Sequence, residues 1–240
     1  MDIEKSFAIN YMNLLADSSS FKSFIHLPKD TKDFSVLCGT CSISTLPCVL
    51  IIMNRDFKLG TMGYDCGENI TLAFEKAIYY RLPVVCVIVS GGARVHDGVS
   101  ALMQMAKTSA IVKKHSEAGL LYISVITNPT LGGVSASFAS LADIIIAEPD
   151  ATYGFTGKRI VAETVNEPLP PDFQSSWYAK KNGMVDMIID RHNMKEQIGN
   201  LLYLHKNSIN INFNKRGGTY GKICNRMFRI NKKSRTSKFN

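Results

Sequence analysis

Three stretches of this chain could hold a reacting oxygen with backbone alone. Residues 127–138, Thr-Asn-Pro-Thr-Leu-Gly-Gly-Val-Ser-Ala-Ser-Phe, leave an apolar run at 120–126, pass through Gly132-Gly133, and continue in small residues at helix-compatible spacing. That spells a strand, a tight turn and a helix start. The first N–H groups of a helix have no partner within it, and the aligned peptide dipoles add partial positive charge there. Glycines let a ligand atom approach those amides closely. Two amides aimed at one point stabilise an oxygen that gains negative charge during a reaction. Ser90-Gly91-Gly92-Ala93-Arg94 follows a second apolar run at 83–89, and Leu59-Gly60-Thr61-Met62-Gly63 forms a third turn. A glycine turn that only packs tightly is spelled the same way, so the weight lies on the repetition.

The elements around these turns read as alternating strands and helices. Residues 36–53 predict two strands, the stronger at 46–53, where aliphatic and β-branched residues crowd. Residues 67–80 predict a helix, with Ile70, Phe74 and Ala77-Ile78 at spacings of three and four. Residues 83–89 predict a strand buried on both faces. A long helix is expected from about Asp97 to His115, a strand at 120–126, a helix running to about Leu141, and a further strand at 142–147. Beyond it, 151–155 and 157–161 read as short extended segments, 173–182 as a helix, 184–189 as a strand and 194–205 as a last amphipathic helix. A possible short helix lies at 7–16. This order implies a parallel α/β arrangement, in which loops leaving the strand C-termini build the ligand site. Two glycine turns would then converge on one crevice.

Charge separates the body from its end. The chain carries 28 Lys and Arg against 20 Asp and Glu, but ten of the basic residues and no acidic one fall in 206–240. The body is therefore nearly neutral, and the tail is expected to be a solvated end able to meet nucleic acid or another acidic partner. Hydrophobic content of 45% is that of an ordinary globular protein, and no apolar run is long enough for a membrane span. The opening Met1-Asp2-Ile3-Glu4-Lys5 lacks the features of a secretory or transit leader, so none is expected. The six cysteines show no paired spacing. Cys38-x-x-Cys41 is half of a zinc motif with no second half, so no metal is expected in this chain.

Several chemistries lack their residues. There is no P-loop, no Gly-x-Gly-x-x-Gly after a strand and no Gly-x-Ser-x-Gly elbow. His115, His192 and His205 have no matched partner and read as surface residues. His96-Asp97 follows the Gly91-Gly92 turn, where Asp97 is expected to cap a helix. Backbone donors without a side-chain nucleophile suggest a reaction that stabilises an oxyanion while the reagent brings its own base or carrier.

A family resemblance joins these pieces. Leu46-Pro47, Met53, Phe57, Gly60-Thr61-Met62-Gly63, Gly67-Glu68, Ser90-Gly91-Gly92-Ala93-Arg94, the 102–107 and 129–138 blocks, Ile145-Ile146-Ala147-Glu148-Pro149 and Phe155-Thr156-Gly157-Lys158-Arg159 occur in one family's order and spacing. Over about 43–205 the chain resembles the β subunits of the multi-subunit acetyl-CoA carboxylase carboxyltransferase, most nearly the plastid-encoded forms. The resemblance implies a crotonase (ClpP-like) spiral of ββα units. It implies transfer of a carboxyl group from carboxybiotin, held on a separate carrier protein, to acetyl-CoA, giving malonyl-CoA for fatty acid synthesis. By resemblance, Gly132 and Gly133 are the catalytic oxyanion glycines and Gly91, Gly92 and Ala93 line the same cavity. Arg94, Gly157, Lys158 and Arg159 would hold anionic parts of the substrates. The implied partners are an α subunit in an α2β2 assembly, the biotin carboxyl carrier protein and biotin carboxylase, in an ATP-dependent complex of the plastid stroma or of a bacterial cytoplasm.

The resemblance also divides the chain into a short extension at 1–42 without the family's zinc ribbon, the carboxyltransferase domain at 43–205 and the basic tail at 206–240. Leu59 stands where the family has a glycine, and Asn54 where it has Asp. Those departures leave room for an inactive or regulatory subunit that binds the α partner without turnover. A different acyl-CoA enzyme of this fold, such as a hydratase, would need Asp97 as its base.

Overall fold

Strand pairing accounts for most of the architecture. The computed structural model describes residues 6–26, 30, 33–165 and 168–206. Met1–Leu204 forms one unit, and of the second, His205–Asn240, only the first two residues are described, so the expectations for the tail lie outside the described residues. Among the described residues the strands are β1 (Lys22–Ser23), β2 (Val36–Ile43), β3 (Leu46–Met53), β4 (Val84–Ser90), β5 (Tyr122–Thr130), β6 (Ile144–Ala147) and β7 (Met187–Ile188). They lie side by side in sequence order, antiparallel from β1 to β3 and parallel from β3 onward. The two-residue turn between β2 and β3, Ser44-Thr45, has both residues at positive φ, as a hairpin of this length requires.

Because each parallel step moves the same way across the sheet, the crossovers stack on one face. There lie α2 (Tyr64–Tyr80) and α3 (Val99–Glu117). Alternation along the strands divides the core accordingly. Val49, Ile51 and Met53 of β3 and Val84, Cys86 and Ile88 of β4 pack with Cys66, Ile70 and Phe74 of α2 and Ile111 and Val112 of α3. Leu50, Ile52, Val85 and Val87 point the other way, against α1 (Phe7–Leu15) and α7 (Met194–Leu204). Both faces are therefore dry, which is why β3 to β5 read as unbroken apolar runs. Each large side chain buried there, such as Phe74, contributes about 2–3 kcal/mol.

The remaining helices are short: α4 (Gly132–Ser135), α5 (Lys158–Thr164) and α6 (Ser176–Lys181). Two expectations need correction. The helix expected to run on to Leu141 is α4 followed by a separate 3-10 turn, Phe138–Leu141. The extended segment expected at 157–161 is the start of α5, because Ile160 is exposed with no strand beside it and Arg159 pairs with Glu163 one helical turn on. The mixed α/β sheet with its one-way parallel crossovers matches the expected crotonase-like spiral.

Candidate functional site

Parallel pairing of β4 with β5 sets their C-terminal ends side by side, with Ser90 opposite Thr130. The turns that follow, 91–93 and 131–133, therefore meet. Their approach is close enough to require glycine. A β-carbon on Gly92 would stand 3.2 Å from the Gly132 Cα, and one on Gly132 would stand 3.0 Å from the Gly92 Cα. Both residues also have positive φ, +112° and +61°. So the convergence expected from sequence occurs, and Gly91, Gly92, Ala93, Gly132 and Gly133 come together.

The hydrogen bonds decide which amides remain available. Gly91 N–H donates to the Leu59 carbonyl (3.1 Å), and Gly92 N–H to the Ser90 hydroxyl (2.9 Å). Leu131 N–H donates to the Ser90 carbonyl (2.9 Å), and Gly132 N–H to the Phe155 carbonyl (2.8 Å). The N–H groups of Ala93 and Gly133 have no acceptor among the described residues. This corrects the expectation of an adjacent Gly132/Gly133 pair: the Gly132 amide already holds the 153–157 segment. The two open donors belong to different turns, one from each. They are neighbours, since a β-carbon on Gly133 would stand 2.9 Å from the Ala93 Cβ and 2.7 Å from the Met105 sulfur.

The charged candidates separate. Arg94 lies beside the turns, but its side chain is turned inward and is 11% exposed. It donates to the Thr61 carbonyl (2.9 Å) and hydroxyl (3.3 Å) and pairs with Asp97 (3.3 Å). Asp97 caps no helix: α3 is preceded by Gly98, and the carboxylate is spent on Arg94. Gly157, Lys158 and Arg159 are not gathered with the turns. Lys158 donates to the Pro171 carbonyl (3.2 Å), and Arg159 faces solvent in its pair with Glu163 (3.4 Å). They follow a segment tied to the site by the bonds from Gly132 N–H to the Phe155 carbonyl, from Gly154 N–H to the Thr130 carbonyl and from the Ser135 hydroxyl to the Gly154 carbonyl.

The hydroxyls beside the turns, Ser90 and Ser135, are spent on backbone carbonyls. Burial pushes the Cys38 and Cys66 thiols up to about 12. Cys38 and Cys41 sit on opposite faces of the sheet and so cannot share an ion. Among the described residues no three His, Cys, Asp or Glu gather as a metal set. His115 is not on the surface as expected but 1% exposed, set edge-on to Phe74 and 3.3 Å from the Leu82 carbonyl. Burial lowers its pKa, so it remains a neutral core residue. Sequence reasoning gave no role to Ser90 or Met105, whose parts depend on contacts made across the fold.

Beside the turns the surface is apolar. Val99, Leu102 and Met103 form an exposed stripe on α3, and Val95, Leu59 and Tyr64 are exposed as well.

Comparison with known proteins identifies the family of the chain. Residues 5–194 match the carboxyl transferase domain family. The chain is 49% identical over 174 residues to the acetyl-coenzyme A carboxylase carboxyl transferase subunit beta of Clostridium botulinum, covering 72% of this chain and 60% of that protein. It is 50% identical over 172 residues to the protein of the same name from Alkaliphilus oremlandii, covering 72% and 62%. The chain thus spans about 60% of the length of these relatives. Among solved structures, a Pseudomonas malonate decarboxylase hetero-tetramer in complex with malonate matches with a TM-score of 0.72 at 18% identity, covering 82% of each chain. The transcarboxylase 12S core, solved with methylmalonyl-coenzyme A and methylmalonic acid bound, gives 0.71 at 23%, covering 81% of this chain and 41% of that one. At such identities these two likenesses speak for the fold.

Proposed function

The chain belongs to the carboxyl transferase domain family, and from that premise we propose that it is the carboxyltransferase β subunit of an acetyl-CoA carboxylase. Its activity is transfer of a carboxyl group from carboxybiotin to acetyl-CoA, giving malonyl-CoA for fatty acid synthesis. The observation that carries this reading is the pair of open N–H groups, Ala93 and Gly133, on two turns in contact.

Two fixed donors of this kind fit a thioester oxygen. Loss of a methyl proton from acetyl-CoA leaves an enolate whose charge sits on that oxygen. Donors already in place stabilise it without reorganising, each contributing on the order of 3 kcal/mol. Carboxybiotin, on its separate carrier, supplies the carboxyl group and a ureido nitrogen for the departing proton. The chain itself then needs no basic side chain at the site, consistent with Asp97 being committed to Arg94. Gly91, Gly92 and Gly132 shape the turns. Exposed Lys158 and Arg159, at the start of α5, are assigned to the anionic parts of the substrates.

The exposed α3 stripe Val99–Leu102–Met103, with Val95 beside it, supports an α subunit closing the site from that side, in an assembly that also uses the biotin carrier and biotin carboxylase. The carboxyltransferase domain is taken to end near residue 205, with the basic residues beyond it a separate segment; deleting 206–240 tests whether they bind RNA. The relatives compared are bacterial, which favours a bacterial cytoplasm, and a plastid setting rests on the resemblance to plastid-encoded forms. The test of function is co-expression with an α subunit and biotin carrier, followed by an assay of malonyl-CoA formation. Turnover is expected; a stable complex without turnover would overturn the assignment.

A further inference from the structure

An amide serves as an oxyanion donor only while its direction is fixed, so the question at Ala93 is what fixes it. Ala93 is flanked by two bonds to one residue. Met62 N–H donates to the Gly92 carbonyl (2.9 Å), and Arg94 N–H donates to the Met62 carbonyl (2.8 Å). Along an extended segment successive N–H groups point to opposite sides, so this pairing turns the Ala93 N–H away from Met62. The arrangement is only as rigid as the 61–63 turn that supplies Met62.

The Arg94 side chain holds that turn. Its guanidinium donates to the Thr61 carbonyl (2.9 Å) and hydroxyl (3.3 Å), pairs with Asp97 (3.3 Å) and lies over the Phe57 ring at 5.2 Å. Gly63 leaves it room: a β-carbon there would stand 2.5 Å from the guanidinium and 2.2 Å from the Asp97 carboxylate. A guanidinium spent on the protein's own carbonyl, hydroxyl and carboxylate, with a ring across its face, is not free to receive a substrate anion.

We propose that Arg94 is a positioning residue, which clamps the 61–63 turn to the 91–93 turn so that the Ala93 amide is aimed before substrate arrives. Asp97 keeps the guanidinium in that geometry. The proposal rests on the carboxyltransferase reading for its kinetic arm, and it replaces the substrate-binding role that the sequence suggests for Arg94.

The kinetic test uses the full chain assembled with its α subunit and biotin carrier. Arg94→Lys keeps the charge and loses the planar fork; kcat is expected to fall about ten-fold or more, with KM for acetyl-CoA within about two-fold of wild type. Asp97→Asn, the milder change, is expected to lower kcat about three-fold at unchanged KM. An anion clamp gives opposite results. Arg94→Lys would then raise KM and spare kcat, and Asp97→Asn would release the guanidinium and lower KM; either outcome overturns the proposal. A second arm needs no turnover. Backbone amide exchange over 91–95 in the full chain should quicken in Asp97→Asn, and in Arg94→Lys if that variant folds. Unchanged exchange refutes the clamp, whereas faster exchange in a chain whose wild type makes no malonyl-CoA upholds the clamp and refutes the assigned reaction.

Discussion

The two turns that meet at the site are fastened by different means. The 131–133 turn is held mainly by backbone and small hydroxyls. Its N–H groups at 131 and 132 bond to the Ser90 and Phe155 carbonyls. The Ser135 hydroxyl donates to the Gly132 and Gly154 carbonyls (2.8 and 2.7 Å), and the Ser137 hydroxyl to the Gly133 carbonyl (2.6 Å). The 91–93 turn has backbone bonds to Leu59 and Met62, and adds to them the Ser90 hydroxyl beneath it and the Arg94–Asp97 pair beyond it. The Ser135 and Ser137 hydroxyls brace the first turn locally, and its backbone reaches Ser90 and Phe155 without help from a charged side chain. The second borrows rigidity from residues some thirty positions away, at Leu59 to Gly63. An oxyanion pair drawn from one turn of each kind can be weakened from one side alone.

Substitutions test that asymmetry, beginning where the turns touch. Gly92→Ala combines a positive φ with a 3.2 Å approach to the Gly132 Cα; it should reduce malonyl-CoA formation about a hundred-fold or more and destabilise the chain by about 1–3 kcal/mol in denaturant unfolding. Normal turnover there would mean that the turns do not need to meet. Gly133→Ala drives a methyl toward the Met105 sulfur and the Ala93 Cβ, and about a ten-fold loss in kcat is expected. Adding Met105→Ala should restore only part of that loss, because the Ala93 contact remains.

Ser90→Ala removes a buried hydroxyl and leaves the Gly92 N–H without its acceptor. Unfolding titrations should show a loss of about 1–3 kcal/mol, with a smaller fall in kcat than either glycine change produces. If kcat instead falls further than in Gly92→Ala, the side-chain fastening matters more than the contact. The smallest effect is expected at Leu59, whose φ of +56° is costly for a branched side chain and whose carbonyl receives the Gly91 N–H. Leu59→Gly should stabilise the chain by about 0.5 kcal/mol, the gain in backbone strain being partly offset by the freer unfolded chain. A destabilisation would show that the left-handed Leu59 is not strained as supposed.

How far the chain could be read from its letters differs by element. Periodicity located α2, α3 and α7 and the apolar runs located β3, β4 and β5, because a helix or a two-face-buried strand writes its environment into adjacent residues. The reading failed at 157–161, where exposed Ile160 and half-buried Val161 imitate a strand, and at His115, where nothing local announces that Phe74 and Leu82 close over the ring.

At the site, sequence alone determined that glycine turns follow parallel strands and must converge, since this follows from local spelling and chain order. Only the tertiary structure decided which amides are open. Gly132 and Gly133 are indistinguishable as letters, yet the first is consumed by a carbonyl twenty-three residues further on, while Ala93 is left open across from the second. A backbone donor is the same group in every residue, so its availability depends on which acceptor the fold brings to it.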